Sequence, residues 1–236
     1  MMEMVRRENL LIFMPHPRSK GSTGYPDAIK DRGYFIDDNY RGIGVRCGMG
    51  LDGSEQRLCE IRCQTLWDEM NNWMADKPGQ LKYIQAITET YEQGPGDDFY
   101  ANSPVQYVKL DTLPLASSGN WDSIIDSVKR GDYFWTSGEV LISNYAVQGA
   151  GAKRTIVADL EWTFPLEFVE VVWGDGAKID RQVIPATELA PLGRKRFEIP
   201  FDATGKKWVR FAAWDTAGNG AMVQPVRLTT AATATR

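Results

Sequence analysis

The apolar positions in the first half of the chain form short runs separated by helical patterns. The run at residues 10–14 is too short for a free-standing helix and is typical of a strand buried on both faces. Further strands are predicted near 41–47, 82–87 and 105–110. Helices are predicted over 54–75 and 121–130, the second ending at Gly131 in a left-handed conformation. This strand–helix–strand order predicts an α/β domain with parallel strands over residues 1–137.

From Gly138 onward, short alternating runs replace the strand–helix units. Strands are predicted near 140–147, 155–164, 168–173, 178–184, 195–201, 207–214 and 221–229. Turns rich in glycine, aspartate and asparagine separate them. This spacing predicts an antiparallel, immunoglobulin-like β-sandwich over residues 138–230, followed by a disordered tail over 231–236. Its many aromatic side chains are expected in the core, with exposure for carbohydrate or partner binding as the alternative.

The composition and net charge argue against some classes of function. The chain is 43% hydrophobic and 25% charged, which is ordinary for a globular protein. A net charge of −4 argues against a broad nucleic-acid surface, and no apolar run approaches the ~20 residues that span a bilayer. No signal peptide is recognised, which favours a cytoplasmic location. Cys47, Cys59 and Cys63 lack a second Cys/His pair, so they are expected to be reduced thiols and not a zinc site.

The only histidine, His16, lies between Pro15 and Pro17, directly after the first predicted strand. Ligands and catalytic groups gather at the carboxyl ends of strands in α/β proteins. His16 is therefore either a metal ligand or general base, or a loop histidine without chemistry. Glu89 follows the strand near 82–87 in the corresponding position, and a carboxylate beside an imidazole is an arrangement that metal sites use.

Two loops carry further charged candidates. Asp97 and Asp98 follow Glu89 in a Gly/Pro-rich loop, where they either add oxygen ligands to a metal or are solvated. Arg18 and Lys20 lie in a glycine-containing loop after His16, which either binds an anion or is a solvated surface loop. The spacing of this loop is not that of a phosphate-binding P-loop.

Three segments carry a family resemblance: residues 14–18 (MPHPR), 133–140 (YFWTSGEV), and 207–215 (KWVRFAAWD) with 218–220 (GNG). Together they resemble the C-terminal portion of PHP-type (polymerase and histidinol phosphatase) metal-dependent hydrolases, in particular the carbaryl-hydrolase-like branch. The resemblance covers roughly residues 8–228. It implies a partial α/β barrel over 1–137 and divalent metals, zinc or manganese, that activate water to hydrolyse esters or phosphoesters.

By this resemblance His16 matches the His-Pro metal ligand of the family, and Glu89 and Tyr91 fall near its late Asp-x-His motif. The paired histidines of the first barrel strand are absent, and Tyr91 stands where a histidine is expected. We therefore expect a truncated or degenerate hydrolase, weak or inactive alone, whose half-barrel is completed by a second copy or another polypeptide. The predicted site comprises His16, Glu89, Asp97 and Asp98 as metal ligands and Arg18 and Lys20 as contacts for a small ester or phosphoester.

An alternative from a different class remains open. In it the chain is a non-catalytic binding or scaffold protein, whose β-sandwich contacts a partner or a glycan. The missing histidines favour this alternative, and the resemblance favours the hydrolase. Neither hypothesis includes a nucleic acid or a membrane as a partner.

Overall fold

A computed structural model describes residues 2–15, 17, 28–45, 53–87, 104–115, 117 and 119–228, with the backbone alone for 53–63. The described part contains three helices: α1 Met2–Arg7, α2 Gly53–Met74 and α3 Asp122–Arg130. Its strands are β1 Ile12–Pro15, β2 Tyr40–Val45, β3 Tyr83–Ala86, β4 Val105–Val108, β5 Tyr133–Thr136, β6 Val140–Ala150, β7 Lys153–Trp162, β8 Leu166–Gly174, β9 Ile179–Pro185, β10 Gly193–Asp202, β11 Trp208–Asp215, β12 Gly220–Val223 and β13 Val226–Arg227.

The predicted fold class, a partial α/β barrel followed by a sandwich, is wrong. The described residues are predominantly β and form several sheets, none of them a barrel. Strands β1, β2 and β3 do pair in parallel, as the sequence predicts, but they make an open three-stranded sheet. The prediction that the first strand is buried on both faces is also wrong, because β1 is only half-buried.

Barrel closure fails at β3, where a side chain takes the place of the next strand. The Ile84 amide N–H donates to Gln224 Oε1 at 2.9 Å, and Gln224 Nε2 donates to the Ile84 carbonyl at 3.1 Å. These bonds satisfy the outer backbone groups of β3 without a further parallel strand. Strands β4 and β5, which a barrel would need beside β3, pair antiparallel with each other instead.

The antiparallel half consists of two sheets. A seven-stranded sheet has the order β4-β5-β12-β11-β8-β9, with β13 beside β11, and a three-stranded sheet has the order β10-β7-β6. The two sheets enclose one apolar core. Strand positions predicted from Val140 onward are confirmed, whereas β5 was not predicted. Because β5 pairs with β12, a cut at residue 137 would remove two strands from the larger sheet.

Helix α2 joins the parallel sheet to the seven-stranded sheet. Its side chains Trp67, Met70 and Met74 belong to the same core cluster as Trp208 of β11. Asn72 Oδ1 accepts a hydrogen bond from the Gly176 N–H at 2.8 Å, in the turn between β8 and β9. The apolar side chains of α2 are therefore core, and its polar residues hold the two sheets together. No helix in the described ranges is long and apolar enough to span a membrane.

The carboxyl end of α2 is capped by an arginine from the last strand. Arg227 donates to the carbonyl oxygens of Met74, Ala75 and Gly79 at 2.8–3.1 Å. These carbonyls have no partner within the helix, and a cation is favourable at the negative end of the helix dipole. A side chain of the last described strand therefore fixes the carboxyl end of α2, the longest described helix.

Candidate functional site

The structure does not place the predicted site residues. The residues that lie outside the described ranges are His16, Arg18, Lys20, Glu89, Tyr91, Asp97, Asp98 and Cys47. The structure therefore does not test whether the predicted metal ligands and substrate contacts lie close together. Strand β1 ends at Pro15, directly before His16 in the chain. Within the described residues, no three His, Cys, Asp or Glu side chains are grouped so that they could hold a metal ion.

A different set of polar groups stands out in the described part. Seven buried side-chain nitrogen or oxygen atoms have no hydrogen-bond partner there. They are Tyr40 Oη, Arg41 Nε and Nη1, Gln106 Oε1, Tyr133 Oη, Trp135 Nε1 and Tyr145 Oη. Six of the seven belong to β2, β4 and β5, and one to β6. Buried polar groups in folded proteins are nearly always hydrogen-bonded. The lack of partners for six atoms in these three strands therefore requires an explanation.

The register of β4 and β5 places three of these groups on one face. Gln106 of β4 lies directly opposite Trp135 of β5, and Tyr133 lies two residues before Trp135 on β5. Side chains on opposed residues, and on residues two apart, share a face of a sheet. Tyr133 and Trp135 belong to the core cluster that includes Tyr83 of β3, so this face packs toward the parallel sheet.

Arg41 enters the same layer from β2, the central strand of the parallel sheet. It is 5% exposed, and its guanidinium carbon lies 5.3 Å from the centroid of the Tyr83 ring. A cation–π contact contributes ~0.5–2 kcal/mol, whereas an unpaired buried charge costs several kcal/mol. No carboxylate in the described part of the chain pairs with Arg41. We call Arg41, Tyr83, Gln106, Tyr133 and Trp135 the Arg41 cluster.

Neighbouring groups hold the Tyr83 ring in place. Its hydroxyl donates to the Arg130 carbonyl at 3.0 Å, and its ring meets that of Tyr133 edge-on, with centroids 6.3 Å apart. Gly131, which ends α3 at φ 78°, lies against the ring, and a Cβ there would be 2.8 Å from Tyr83 Cζ. The predicted left-handed stop at Gly131 is confirmed, and the same residue makes room for the cluster.

The electrostatic character of the layer is basic. Burial raises the pKa of the Tyr133 phenol well above its usual value, Tyr83 raises it further, and the charge of Arg41 opposes the shift. Tyr133 is therefore a neutral hydroxyl at physiological pH. The donors of the cluster are the Arg41 guanidinium, the Tyr133 hydroxyl and the Trp135 indole N–H, and Gln106 Oε1 is an acceptor. Such a set suits a ligand group that is negatively charged.

Lys82, immediately before β3, adds a second basic group, and it gives a testable pH dependence. Its Nζ donates to the carbonyls of Tyr40 at 2.6 Å and Asp37 at 3.3 Å. Burial, and next the charge of Arg41, lower the pKa of Lys82 from 10.5 to about 7. Between these two pH values the unfolded chain binds more protons than the folded one. The free energy of unfolding should therefore rise with pH across this window, by roughly 1.4 kcal/mol per unit.

Urea unfolding over that pH window measures this rise. Lys82→Met should flatten it, because the variant has no ammonium to deprotonate at this position. Lys195→Met is the matched control, since Lys195 is exposed on β10. If wild-type protein and Lys82→Met show the same pH dependence, Lys82 does not lose its proton on folding.

The antiparallel half offers one open groove among the described residues. The groove has a volume of about 380 Å³, and charged Glu139, Glu161 and Arg194 line it together with Leu192. The Trp162 indole is buried, and its Nε1 donates to the Ala190 carbonyl at 3.0 Å. Trp162 lines the groove, but only 5% of this residue is exposed, so the groove offers little of the aromatic surface that sugar rings stack on.

The aromatic side chains of the antiparallel half are mainly core, as the sequence predicts. Those buried are Trp162, Phe197, Trp208, Phe211 and Trp214. Phe168 and Trp173 are half-buried, and Phe164 is exposed. Most of this aromatic area therefore stabilises the sheets and is closed to ligands.

Sequence reasoning missed the Arg41 cluster, although one signal for it was present. Arg41 interrupts an otherwise uncharged strand, and a charged residue inside a buried strand needs a partner. Neither the alternation of β4 nor the aromatic run in β5 shows that side chains of these two strands pack against the parallel sheet. Comparison with protein-family models, with curated proteins and with solved structures found no match.

Proposed function

We propose that this chain is a binding protein for a small anionic ligand, and that Arg41 receives the anionic group between the parallel sheet and β4–β5. The observation that carries the proposal is the guanidinium of Arg41, which is buried with its Nε and Nη1 atoms unpartnered. Removing one partner of a buried ion pair typically costs about 3–5 kcal/mol. A bound anion supplies the partner that the described residues do not.

The geometry of a guanidinium indicates the class of ligand. Arginine binds carboxylates and phosphates through a planar set of N–H donors, in which Nε–H runs parallel to an N–H of Nη2. The unpartnered Nε and Nη1 of Arg41 lie on different edges of the guanidinium, so each can donate to a separate oxygen atom. The Tyr133 hydroxyl and the Trp135 N–H add neutral donors on the facing layer. A carboxylate or a phosphate monoester, with an adjacent donor group for Gln106, fits this set.

The hypothesis of metal-dependent hydrolysis stays a prediction. It rests on His16, Glu89, Asp97 and Asp98, which lie outside the described residues, and it too requires an anionic substrate. Metal content per chain, measured by mass spectrometry after exposure to zinc and manganese, tests it without reference to Arg41. The cytoplasmic location also stays a prediction.

The anion site is tested by thermal unfolding in inorganic phosphate or acetate, against chloride at equal ionic strength. A ligand that binds the folded state stabilises it by ~2.7 kcal/mol at a concentration of 100 times its Kd. We expect phosphate or acetate to raise the Tm of the wild-type protein and not that of Arg41→Met. Tyr133→Phe keeps the ring and removes one donor, so it should give a smaller rise.

The control is Arg196→Met. Arg196 lies exposed on β10, where it pairs with Asp159 and Glu198. This variant should respond to the anions as the wild-type protein does. Equal stabilisation of Arg41→Met and wild type would place the anion elsewhere, and no stabilisation of the wild-type protein by either anion would overturn the proposal.

A further inference from the structure

Exposed large apolar side chains are concentrated in one stretch of the described chain. Twelve such side chains are exposed in the described part, and five of them lie between residues 107 and 125. These five are Tyr107, Leu113, Leu115, Trp121 and Ile125. Leu113 and Leu115 are 79% and 74% exposed, the highest values among the twelve. Clustered exposed apolar side chains mark interaction sites, whereas scattered ones need no explanation.

Helix α3 and strand β4 carry this surface together. Ser127 Oγ donates to the Lys109 carbonyl at 2.9 Å, and the Lys109 N–H donates to the Asp132 carbonyl at 2.8 Å. Ser127 and Val128 are buried, so this side of α3 faces its own molecule. Trp121 and Ile125 are one helical turn apart and share a side of the helix. We call the exposed side chains of β4, α3 and their connection the β4–α3 face.

Strand β4 is an open edge of the seven-stranded sheet. It pairs with β5 on one side, and no strand of the described chain pairs with its other side. Its sequence, Val105–Val108, contains no charged residue and no proline. Natural edge strands usually carry such residues to prevent pairing with another chain. The edge of β4 is therefore open to a further strand.

The charges of α3 indicate which partner fits. Asp122 and Asp126 lie in its first half, and Lys129 and Arg130 lie in its last turn. Within the chain Lys129 lies 3.7 Å from Asp126 and Arg130 lies 2.6 Å from Asp132. Surface ion pairs of this kind contribute little to stability, so they can exchange for pairs across an interface. A two-fold axis would set two copies of the helix antiparallel, so that the acidic half of each lies beside the basic half of the other. The equal numbers of acids and bases are complementary to a second α3 and not to an anionic lipid surface.

We propose that the β4–α3 face joins two copies of this chain in a two-fold dimer, with β4 antiparallel to the β4 of the second copy. The dimer covers the apolar side chains and satisfies the open edge in one contact. The dimer and the proposed anion site share β4, which carries Gln106 of the Arg41 cluster. The variants that test the dimer lie on α3 and leave every residue of the Arg41 cluster unchanged.

Sedimentation velocity over a range of protein concentrations tests the proposal. Wild-type protein should shift from monomer to dimer with concentration, and Ile125→Lys should weaken the dimer by about tenfold or more. Val183→Lys is the control, because Val183 is 50% exposed, against 41% for Ile125, but lies on β9, the opposite edge of the same sheet. It should dimerise as the wild-type protein does.

A charge exchange identifies the pairing of the helices. One variant carries Asp122→Lys and Asp126→Lys, and a second carries Lys129→Asp and Arg130→Asp. Each alone should be monomeric through like-charge repulsion, and an equimolar mixture should dimerise. The proposal is overturned if the wild-type protein is monomeric throughout, if Val183→Lys and not Ile125→Lys breaks the dimer, or if the mixed variants stay monomeric. Binding to vesicles of anionic phospholipid in place of dimerisation would also contradict it.

Discussion

Gly42→Ala should disrupt the parallel sheet, whereas Gly33→Ala should leave the protein as stable as before. A Cβ at residue 42 would overlap the Tyr83 carbonyl oxygen and lie 2.6 Å from the Tyr83 nitrogen. Both atoms belong to the backbone of β3, which pairs with β2 at this residue. The two strands must separate to admit the methyl group, so the loss in unfolding free energy should reach about 4 kcal/mol or more.

Glycines of the same region supply a graded set of controls. A Cβ at Gly33 would meet nothing within 4 Å. A Cβ at Gly44 would lie 2.7 Å from Ile87 Cγ2, an atom of a side chain that can move or be shortened. Gly44→Ala should therefore cost less than Gly42→Ala, and adding Ile87→Ala should relieve part of that overpacking cost.

Urea unfolding monitored by circular dichroism measures these differences. If Gly42→Ala is too unstable to purify, its soluble yield beside that of Gly33→Ala is the readout. Equal stability of the two variants would mean that β2 and β3 do not pair with Gly42 opposite Tyr83. The Arg41 cluster would then lose its geometric basis, because that pairing brings Arg41 beside the Tyr83 ring.

Local patterns predicted most of the described elements. The helical spacing of Leu66, Met70 and Met74 predicts α2, and alternation together with glycine-rich turns predicts the strands from β6 onward. Elements of this kind depend on residues close together in the chain. A glycine inside a predicted strand indicates close backbone approach, and Gly42 lies against the backbone of β3.

The sheet assignment could not be predicted, because it depends on contacts between distant residues. Strand β5 pairs with β12, some 85 residues later, and the Gln224 side chain closes β3 from 140 residues away. Nothing in the alternation of β4 distinguishes a strand beside β3 from one in a second sheet. The resemblance to a barrel family led to the prediction of a barrel, and the structure contradicts that prediction. The Arg41 cluster was missed for the same reason, since it forms where the parallel sheet meets β4 and β5.

Asp68→Ala should be the most damaging single change in the contact between α2 and the seven-stranded sheet. Arg210 of β11 is almost fully buried and donates through Nε to Asp68 Oδ1 at 2.6 Å and through Nη2 to Asp68 Oδ2 at 2.7 Å. Its Nη1 lies 3.3 Å from Glu170 Oε1. Removing Asp68 leaves the guanidinium buried with one weak acceptor, which should cost about 3–5 kcal/mol.

Arg210→Met leaves the opposite imbalance, because Asp68 is then buried without its arginine, whereas Glu170 keeps Arg181 at 3.5 Å. Burial raises the pKa of Asp68, and in the wild-type protein the charge and hydrogen bonds of Arg210 oppose that shift. Without Arg210 the pKa of Asp68 in the folded state is raised further, so the folded state holds a proton that the unfolded state releases. The unfolding free energy of this variant should fall as pH rises above 3.8, the ordinary pKa of the group.

The double variant Asp68→Ala/Arg210→Met measures the interaction energy between the two side chains apart from the cost of each single substitution. It should lose less stability than the sum of the single variants, with a coupling energy of about 2–3 kcal/mol, because neither charge is left unpaired by the other. The exposed pair of Arg196 and Asp159 on the three-stranded sheet is the matched control, and Asp159→Ala should cost less than about 1 kcal/mol. If the Asp68 and Arg210 variants are additive, the pair contributes nothing specific. In that case the apolar contacts of Trp67 and Trp208, together with the hydrogen bond from Gly176 to Asn72, hold α2 against the sheet.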